Sequence, residues 1–227
     1  MLKEIQIKNH EPFHNCVLKD LQPVNIIVGP PGSGKTRLFF LLNELKAGYY
    51  DVTLKFDTGE IVKLKDGIPH ELERYLSLWN FWTPDMELFK YTSAKAHQEA
   101  FLVFRAMFGS IKYWSRGLQL FFGLLLALYN SEPNSIIFFE HPETNLGPRE
   151  ITQFMEHMRL VQKEKNLQVF ITTHSRDVVD LARPEELLFL KDGKCYKIDP
   201  SKIDAISDSY VPLGDLWSDG FLEHFIV

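Results

Sequence analysis

The octapeptide Gly29-Pro30-Pro31-Gly32-Ser33-Gly34-Lys35-Thr36 constrains this chain more than any other stretch. It fills every fixed position of the pattern G-x-x-x-x-G-K-[ST]. An apolar run, Val24–Val28, precedes it and an apolar-rich helical run, Arg37–Lys46, follows it, so the motif has the strand–loop–helix setting of a phosphate-binding loop. Glycines let backbone N–H groups turn toward phosphate oxygens, and the helix N-terminus adds a favourable dipole. Lys35 is placed to reach β- and γ-phosphates and the Thr36 hydroxyl to ligate Mg²⁺. The candidate nucleotide contacts therefore run from Gly29 to Arg37. A loop of this kind serves kinases, GTPases and many ATPases alike.

The remaining composition excludes several classes. At 227 residues the chain has room for one large domain with a sizeable core. Its net charge is -5, with a pI near 5.9, which is not the bulk signature of a dedicated nucleic-acid binder. Two cysteines, Cys16 and Cys195, lie far apart in no C-x-x-C pair, so reduced thiols in a cytoplasmic protein are expected rather than a zinc or disulfide framework. His10 and His14 have no accompanying ligand set. The N-terminus alternates and carries charge early, unlike a signal peptide. The longest apolar stretch, Leu118–Tyr129, suits a buried helix rather than a membrane span.

Strands are expected at Leu2–Ile7, Val24–Val28, Ile136–Phe139 and Val169–Thr172. Hairpins are expected at Val52–Leu64, around Asp57-Thr58-Gly59-Glu60, and at Leu187–Ile198, around Asp192-Gly193. Helices are expected after the phosphate loop with a C-cap near Gly48, at His70–Trp82, Ala94–Phe108 and Leu118–Tyr129, from Pro148 to Lys165, and at Arg176–Ala182. Asn9–Asp20 reads as irregular. Strands alternating with helices around a phosphate loop imply an α/β P-loop NTPase with a mostly parallel central sheet, flanking helices and some antiparallel β. Residues 49–113, a hairpin and aromatic helices, would form a lateral lobe on this single domain. Trp79, Phe81, Trp82 and Phe89 would form its core or a docking surface.

Three further stretches carry polar chemistry. Ile136–Phe139 is an apolar strand ending in Glu140, followed by His141-Pro142-Glu143; an acid there can hold Mg²⁺ through water. Ser115-Arg116-Gly117-Leu118-Gln119 opens a helix and offers a hydroxyl and free N–H groups to an anion. Thr172-Thr173-His174-Ser175 ends the next strand, where a histidine can touch a γ-phosphate or an attacking water.

The order phosphate loop, S-x-G-x-Q, apolar-E-x-P-E and T-T-H-S resembles the ABC-type ATPase heads of the RecF, SMC and OLD families. Ile5-Gln6-Ile7-Lys8-Asn9-His10 and Asn25-Ile26-Ile27-Val28-Gly29 look like the opening of a RecF-type head. Glu140–Pro148 is similar to the D-E-P-E-x-x-L-H-P stretch of these families. The resemblance implies a homodimer around two ATP molecules. Lys35 and Thr36 would act from one copy and Ser115, Gly117 and Gln119 from the other, with Asn145 at the interface. Glu140 would be the acid that holds magnesium and His174 the switch histidine. A family glutamine that reaches the metal is expected between the phosphate loop and Ser115, and Gln98 is the only glutamine there.

Two departures matter. Glutamate stands at 140 where aspartate is usual. His141 stands where the family places the glutamate that polarises the attacking water. A neutral imidazole can accept a proton but carries no fixed negative charge. Loss of a general base typically costs about 10²–10⁴-fold, so slow hydrolysis is expected, with ATP mainly holding a dimer. No SMC-type arm interrupts residues 48–113, and no acidic cluster suggests a nuclease. The leading expectation is an ATP-driven switch or clamp in DNA repair or maintenance, or in defence against mobile DNA, with DNA contact resting on analogy alone. The alternative is an ATP-gated scaffold controlling a separate nuclease or toxin with little turnover. A transporter's nucleotide-binding subunit and a small-molecule kinase fit less well.

Overall fold

The run Val24–Val28 is buried at all five positions, which only a strand covered on both faces can achieve. It forms β3 in the computed structural model, which describes residues 1–45, 51–64, 79–84, 114–204 and 211–227. Its neighbours are equally continuous: β7 (Ile136–Glu140), β8 (Gln168–Thr172) and β9 (Leu187–Lys191). With β6 (Trp79–Trp82) and β10 (Lys194–Lys197) they make a six-stranded sheet in the order β10-β9-β3-β8-β7-β6. All neighbours pair in parallel except β10, which returns antiparallel along β9.

Side chains alternate across this sheet with the period of two that strands impose. Ile26, Val28, Ile137, Phe139, Val169 and Ile171 face one core. That core is closed by α2 (Arg116–Asn130), α3 (Pro148–Lys165), α4 (Arg176–Asp180) and α6 (Leu213–Ser218). Between α4 and α6 lies the short α5 (Pro200–Asp204). Ile27, Phe138, Phe170, Leu188 and Leu190 face a second core filled by Leu38, Phe39, Leu41 and Leu42 of α1 (Lys35–Glu44). A four-stranded antiparallel sheet completes it, in the order β2-β1-β4-β5, from β1 (Leu2–His10), β2 (Phe13–Leu18), β4 (Asp51–Phe56) and β5 (Ile61–Leu64).

The Gln168 side chain joins the two sheets. It accepts from the Leu2 N–H at 2.9 Å and donates to the Leu2 carbonyl at 2.8 Å and the Gln22 carbonyl at 3.1 Å.

Three expectations change. Asn9–Asp20 is not irregular: β1 continues to His10 and turns into β2, whose Phe13, Cys16 and Leu18 are buried. Exposed His14 and Asn15 and half-buried Val17 separate those three residues, an irregular pattern that Pro12 obscures further. Trp79–Trp82 is a strand rather than the end of a helix. Phe81 stacks on Phe138 at 4.5 Å and Phe138 on Phe170 at 4.8 Å, a ring ladder across β6, β7 and β8 that a helix cannot offer. The 51–64 hairpin pairs with β1, so it extends the antiparallel sheet instead of joining a separate lobe. Trp79 and Trp82 are buried, while the expected helix at Ala94–Phe108, the cap at Gly48, Phe89 and Gln98 lie outside the described residues.

Parallel strands deliver their following loops to one edge. Because β3, β8 and β7 are consecutive neighbours, the phosphate loop, Thr173–Ser175 and His141–Gly147 emerge side by side. Thr172 pairs with Ile27 on one side and with Glu140 on the other.

Candidate phosphate-binding site

The phosphate loop is shaped by what its glycines exclude. A Cβ on Gly29 would lie 2.1 Å from the Leu190 carbonyl oxygen, so this residue packs directly against β9. Gly32 and Gly34 have φ of 78° and 98°, left-handed values that side chains rarely tolerate. Gly34 caps α1 without a side-chain bond, and the first bond of the helix runs from the Leu38 N–H to the Gly34 carbonyl. The N–H groups of Lys35, Thr36 and Arg37 precede that bond and face the loop, the arrangement that receives anions.

Lys35 is folded into its own loop. Its Nζ donates to the carbonyls of Gly29 at 2.7 Å and Pro30 at 3.1 Å, and to Ser33 Oγ at 3.2 Å. Burial lowers its pKa to about 8, against the pull of the Glu143 charge in the other direction. Thr36 and Arg37 are exposed and share a cleft of about 350 Å³ with Gly32, Gly34, Lys35, Phe40 and His174. Pro30, Pro31 and Ser33 face a second hollow on the other side of the loop, beside Pro12, His14 and Gly193.

The adjoining loops form one cluster. Glu140, buried at the end of β7, is followed by His141 at φ 44°, a left-handed value that turns the chain sharply. The His141 N–H donates to the Thr172 carbonyl at 3.0 Å. Its own carbonyl accepts from the Thr144 N–H at 3.1 Å and Oγ1 at 2.8 Å. The His141 ring lies parallel to that of His174, with centroids 5.1 Å apart. Glu143 Oε1 meets His141 Nδ1 at 3.3 Å and accepts from the His174 N–H at 3.1 Å. Burial alone would raise the Glu143 pKa, but the hydrogen bonds from His141 and from backbone N–H groups hold it below the ordinary carboxylate value. The pKa of His174 is lowered, first by partial burial and then by the charge of Lys35.

The serine-led segment is built elsewhere. Ser115 Oγ caps α2 by accepting from the Leu118 N–H at 3.2 Å. A Cβ on Gly117 would lie 2.5 Å from the Asn145 carbonyl, so glycine is what lets the helix start touch the 141–147 loop. Asn145 is itself left-handed, at φ 59°. Ser115, Gly117, Asn145 and Leu146 line a cleft that shares no residue with the one beside Lys35. Gln119 turns back, its Nε2 donating to the Trp114 carbonyl at 3.0 Å, rather than opening onto that cleft.

The structure thus gathers Lys35, Thr36, Arg37 and His174 around one cleft, stacks His141 on His174, and has Ser115, Gly117 and Asn145 line a different cleft. Glu143 ties the two histidines; from sequence it reads as a fallback for the missing catalytic carboxylate, with bracing of the loop as its expected task. For Mg²⁺, Thr36 and Glu140 fit the usual pattern of one or two protein oxygens completed by phosphate and water. Among the described residues no group of three or more His, Cys, Asp or Glu side chains forms a metal site, and His10 and His14 are in none.

Comparison with known proteins fits this geometry. A family profile described as "AAA domain, putative AbiEii toxin, Type IV TA system" matches residues 60–181. The chain belongs to this AAA-domain family. Among solved structures, the SMC head domain from Thermotoga maritima aligns at 17% identity and TM-score 0.60, over 87% of this chain and 99% of that one. A nucleotide-free cassette from an ABC transporter aligns at 16% identity and TM-score 0.60, over 93% and 97%. A dimeric ATP-binding cassette bound to ADP and Pi aligns at 21% identity and TM-score 0.55, over 85% and 94%. A search of curated proteins gave no match. At these identities the likeness is one of fold: this AAA-domain protein has the fold of an ABC-type, SMC-like P-loop ATPase head.

Proposed function

We propose that the chain binds ATP with Mg²⁺, pairs with a second copy around the nucleotides, and hydrolyses them slowly. The observation that carries this reading is the division of the site. Lys35 and the start of α1 line one cleft, while Ser115 and Gly117 line another that shares no residue with it, which supports a site made of two halves. A second copy turned to present its serine segment to the first copy's loop completes both sites at once. A fold relative, an ATP-binding cassette in a post-hydrolysis state bound to ADP and Pi, is described as dimeric.

In this reading Lys35 leaves its carbonyls for the β- and γ-phosphates, and the first N–H groups of α1 hold phosphate oxygens. Thr36 and Glu140 hold the metal, which when bound neutralises phosphate charge. His174 lies against the γ-phosphate and Asn145 at the interface, while Gln98 is kept as a metal-reaching residue by analogy only. His141 takes the place of the family's glutamate, hence the slow turnover. The biological setting is a switch or clamp in DNA repair or in defence against mobile DNA. The family description favours defence, and with it a second reading: a scaffold that gates a separate toxin or nuclease with little turnover. No described helix is long and apolar enough to cross a membrane.

Light scattering and phosphate release on the same sample test the proposal. ATP with Mg²⁺ is expected to double the mass and to be followed by turnover well below one per second, and Lys35→Ala should lose both. A mass that ATP does not change sinks the sandwich; stable doubling with no release favours the scaffold.

A further inference from the structure

Glu143 is the hub of the cluster beside Lys35, yet the proposed reaction gives it no task. We propose that Glu143 is the positioning residue of hydrolysis: it fixes His141 as the Nδ1–H tautomer, so that Nε2 takes the proton of the attacking water. This deepens the ATPase reading and rests on it.

The geometry has three parts. The backbone of His141 is pinned on both sides, by its N–H on the Thr172 carbonyl and by its carbonyl under Thr144, so only the ring remains to be set. The ring nitrogen facing Glu143 is Nδ1, at 3.3 Å. An ionised carboxylate only accepts, so Nδ1 carries the proton and Nε2 of the neutral ring keeps its lone pair. The same Glu143 oxygen also accepts from the His174 backbone N–H at 3.1 Å, and the His141 ring lies parallel to that of His174, which lines the phosphate cleft.

Oε1 takes both bonds, while Oε2 is buried with no donor among the described residues. The arrangement of base and orienting acid is the one by which a histidine is held in a single tautomer in nucleophile-activating sites.

The step balances as follows. The oxygen of water bonds to the γ-phosphorus, and the bond from that phosphorus to the bridging oxygen breaks with its electron pair left on ADP. The proton of water passes to His141 Nε2 and is returned to solvent after phosphate departs.

Two measurements decide it. Long-range ¹H–¹⁵N correlation on the nucleotide-free chain reads the tautomer of His141, its signal assigned by its loss in His141→Gln. The native ring is expected as Nδ1–H, and Glu143→Gln is expected to abolish that preference. In turnover, Glu143→Gln should lower kcat about 10²-fold with KM within about twofold, the low end of the loss of a general base. In a His141→Glu background the same change should alter kcat less than about threefold, because the new carboxylate needs no orienter. Equal losses in both backgrounds make Glu143 a structural brace and overturn the proposal. A native Nε2–H ring overturns it too. So does a His141→Gln variant that keeps the rate Glu143→Gln loses, since Glu143 would then be the base itself. Absence of any turnover that depends on Lys35 removes the ATPase reading and this inference together, whereas a wrong tautomer removes the inference alone.

Discussion

Lys35 spends its three donors on its own loop, and the consequence is a proton. With its pKa lowered to about 8 by burial, the folded chain binds fewer protons than the unfolded one between pH 8 and about 10.5. This group therefore disfavours folding below pH 8, and that penalty fades as pH rises through the window. A polyphosphate beside the ammonium restores its ordinary affinity for the proton. ATP binding at pH 8 should then take up about half a proton per site at Lys35, falling toward zero at pH 6. Titration calorimetry in buffers of different ionisation enthalpy measures this. The Lys35→Arg variant, whose guanidinium stays charged, should lack the Lys35 component. An uptake identical in the two proteins between pH 6 and 9 would refute it. Lys35, Thr36 and the glycines were legible in sequence because their spacing is rigid and local. Glu143 was visible as a residue but not as a hub, because its partner His174 is brought to it only by the pairing of β7 with β8.

At the scale of elements, strands that are buried on both faces declare themselves, and strands whose partners are distant do not. The five-residue runs of β3, β7 and β8 contain too few polar residues to be anything exposed. Trp79–Trp82 has the same aromatic content as a buried helix end, and only the ring ladder with Phe138 and Phe170 decides for a strand. Phe13–Leu18 does not alternate strictly, its buried Phe13 and Cys16 being three residues apart, and it is the pairing of Phe13 with His10 that folds it back onto β1. At the seam between the two sheets sits a polar side chain that no local pattern marks. Gln168 is 2% exposed and bonds both polar groups of Leu2. Gln168→Ala leaves both groups without their partner and should lower stability by about 2–6 kcal/mol, from a penalty of about 1–3 kcal/mol for each unsatisfied group. Urea unfolding reads the change as a lower midpoint with an unaltered slope. A loss under about 1 kcal/mol would mean that water replaces the amide there.

For the whole molecule, the test of two half-sites is complementation between two dead chains. Lys35→Ala removes the phosphate grip of the chain that bears it, and Ser115→Arg places a bulky cation at the start of α2, in the cleft beside Asn145. Each variant alone should be inactive, since every site in its homodimer lacks one half. In an equal mixture half of the dimers are mixed, and each mixed dimer joins the intact Lys35 of one chain to the intact Ser115 of the other at one of its two sites. Activity should therefore return to about a quarter of the native value if the two sites fire independently. A site contained within one chain could never be rebuilt by mixing, whatever the dimer looks like. Recovery in the mixture, absent from either variant at twice the concentration, thus separates a shared site from a self-contained one without any structure of the complex. It also separates pairing around nucleotide from pairing elsewhere on the surface, because a dimer joined at another face would keep each Lys35 and Ser115 in separate clefts.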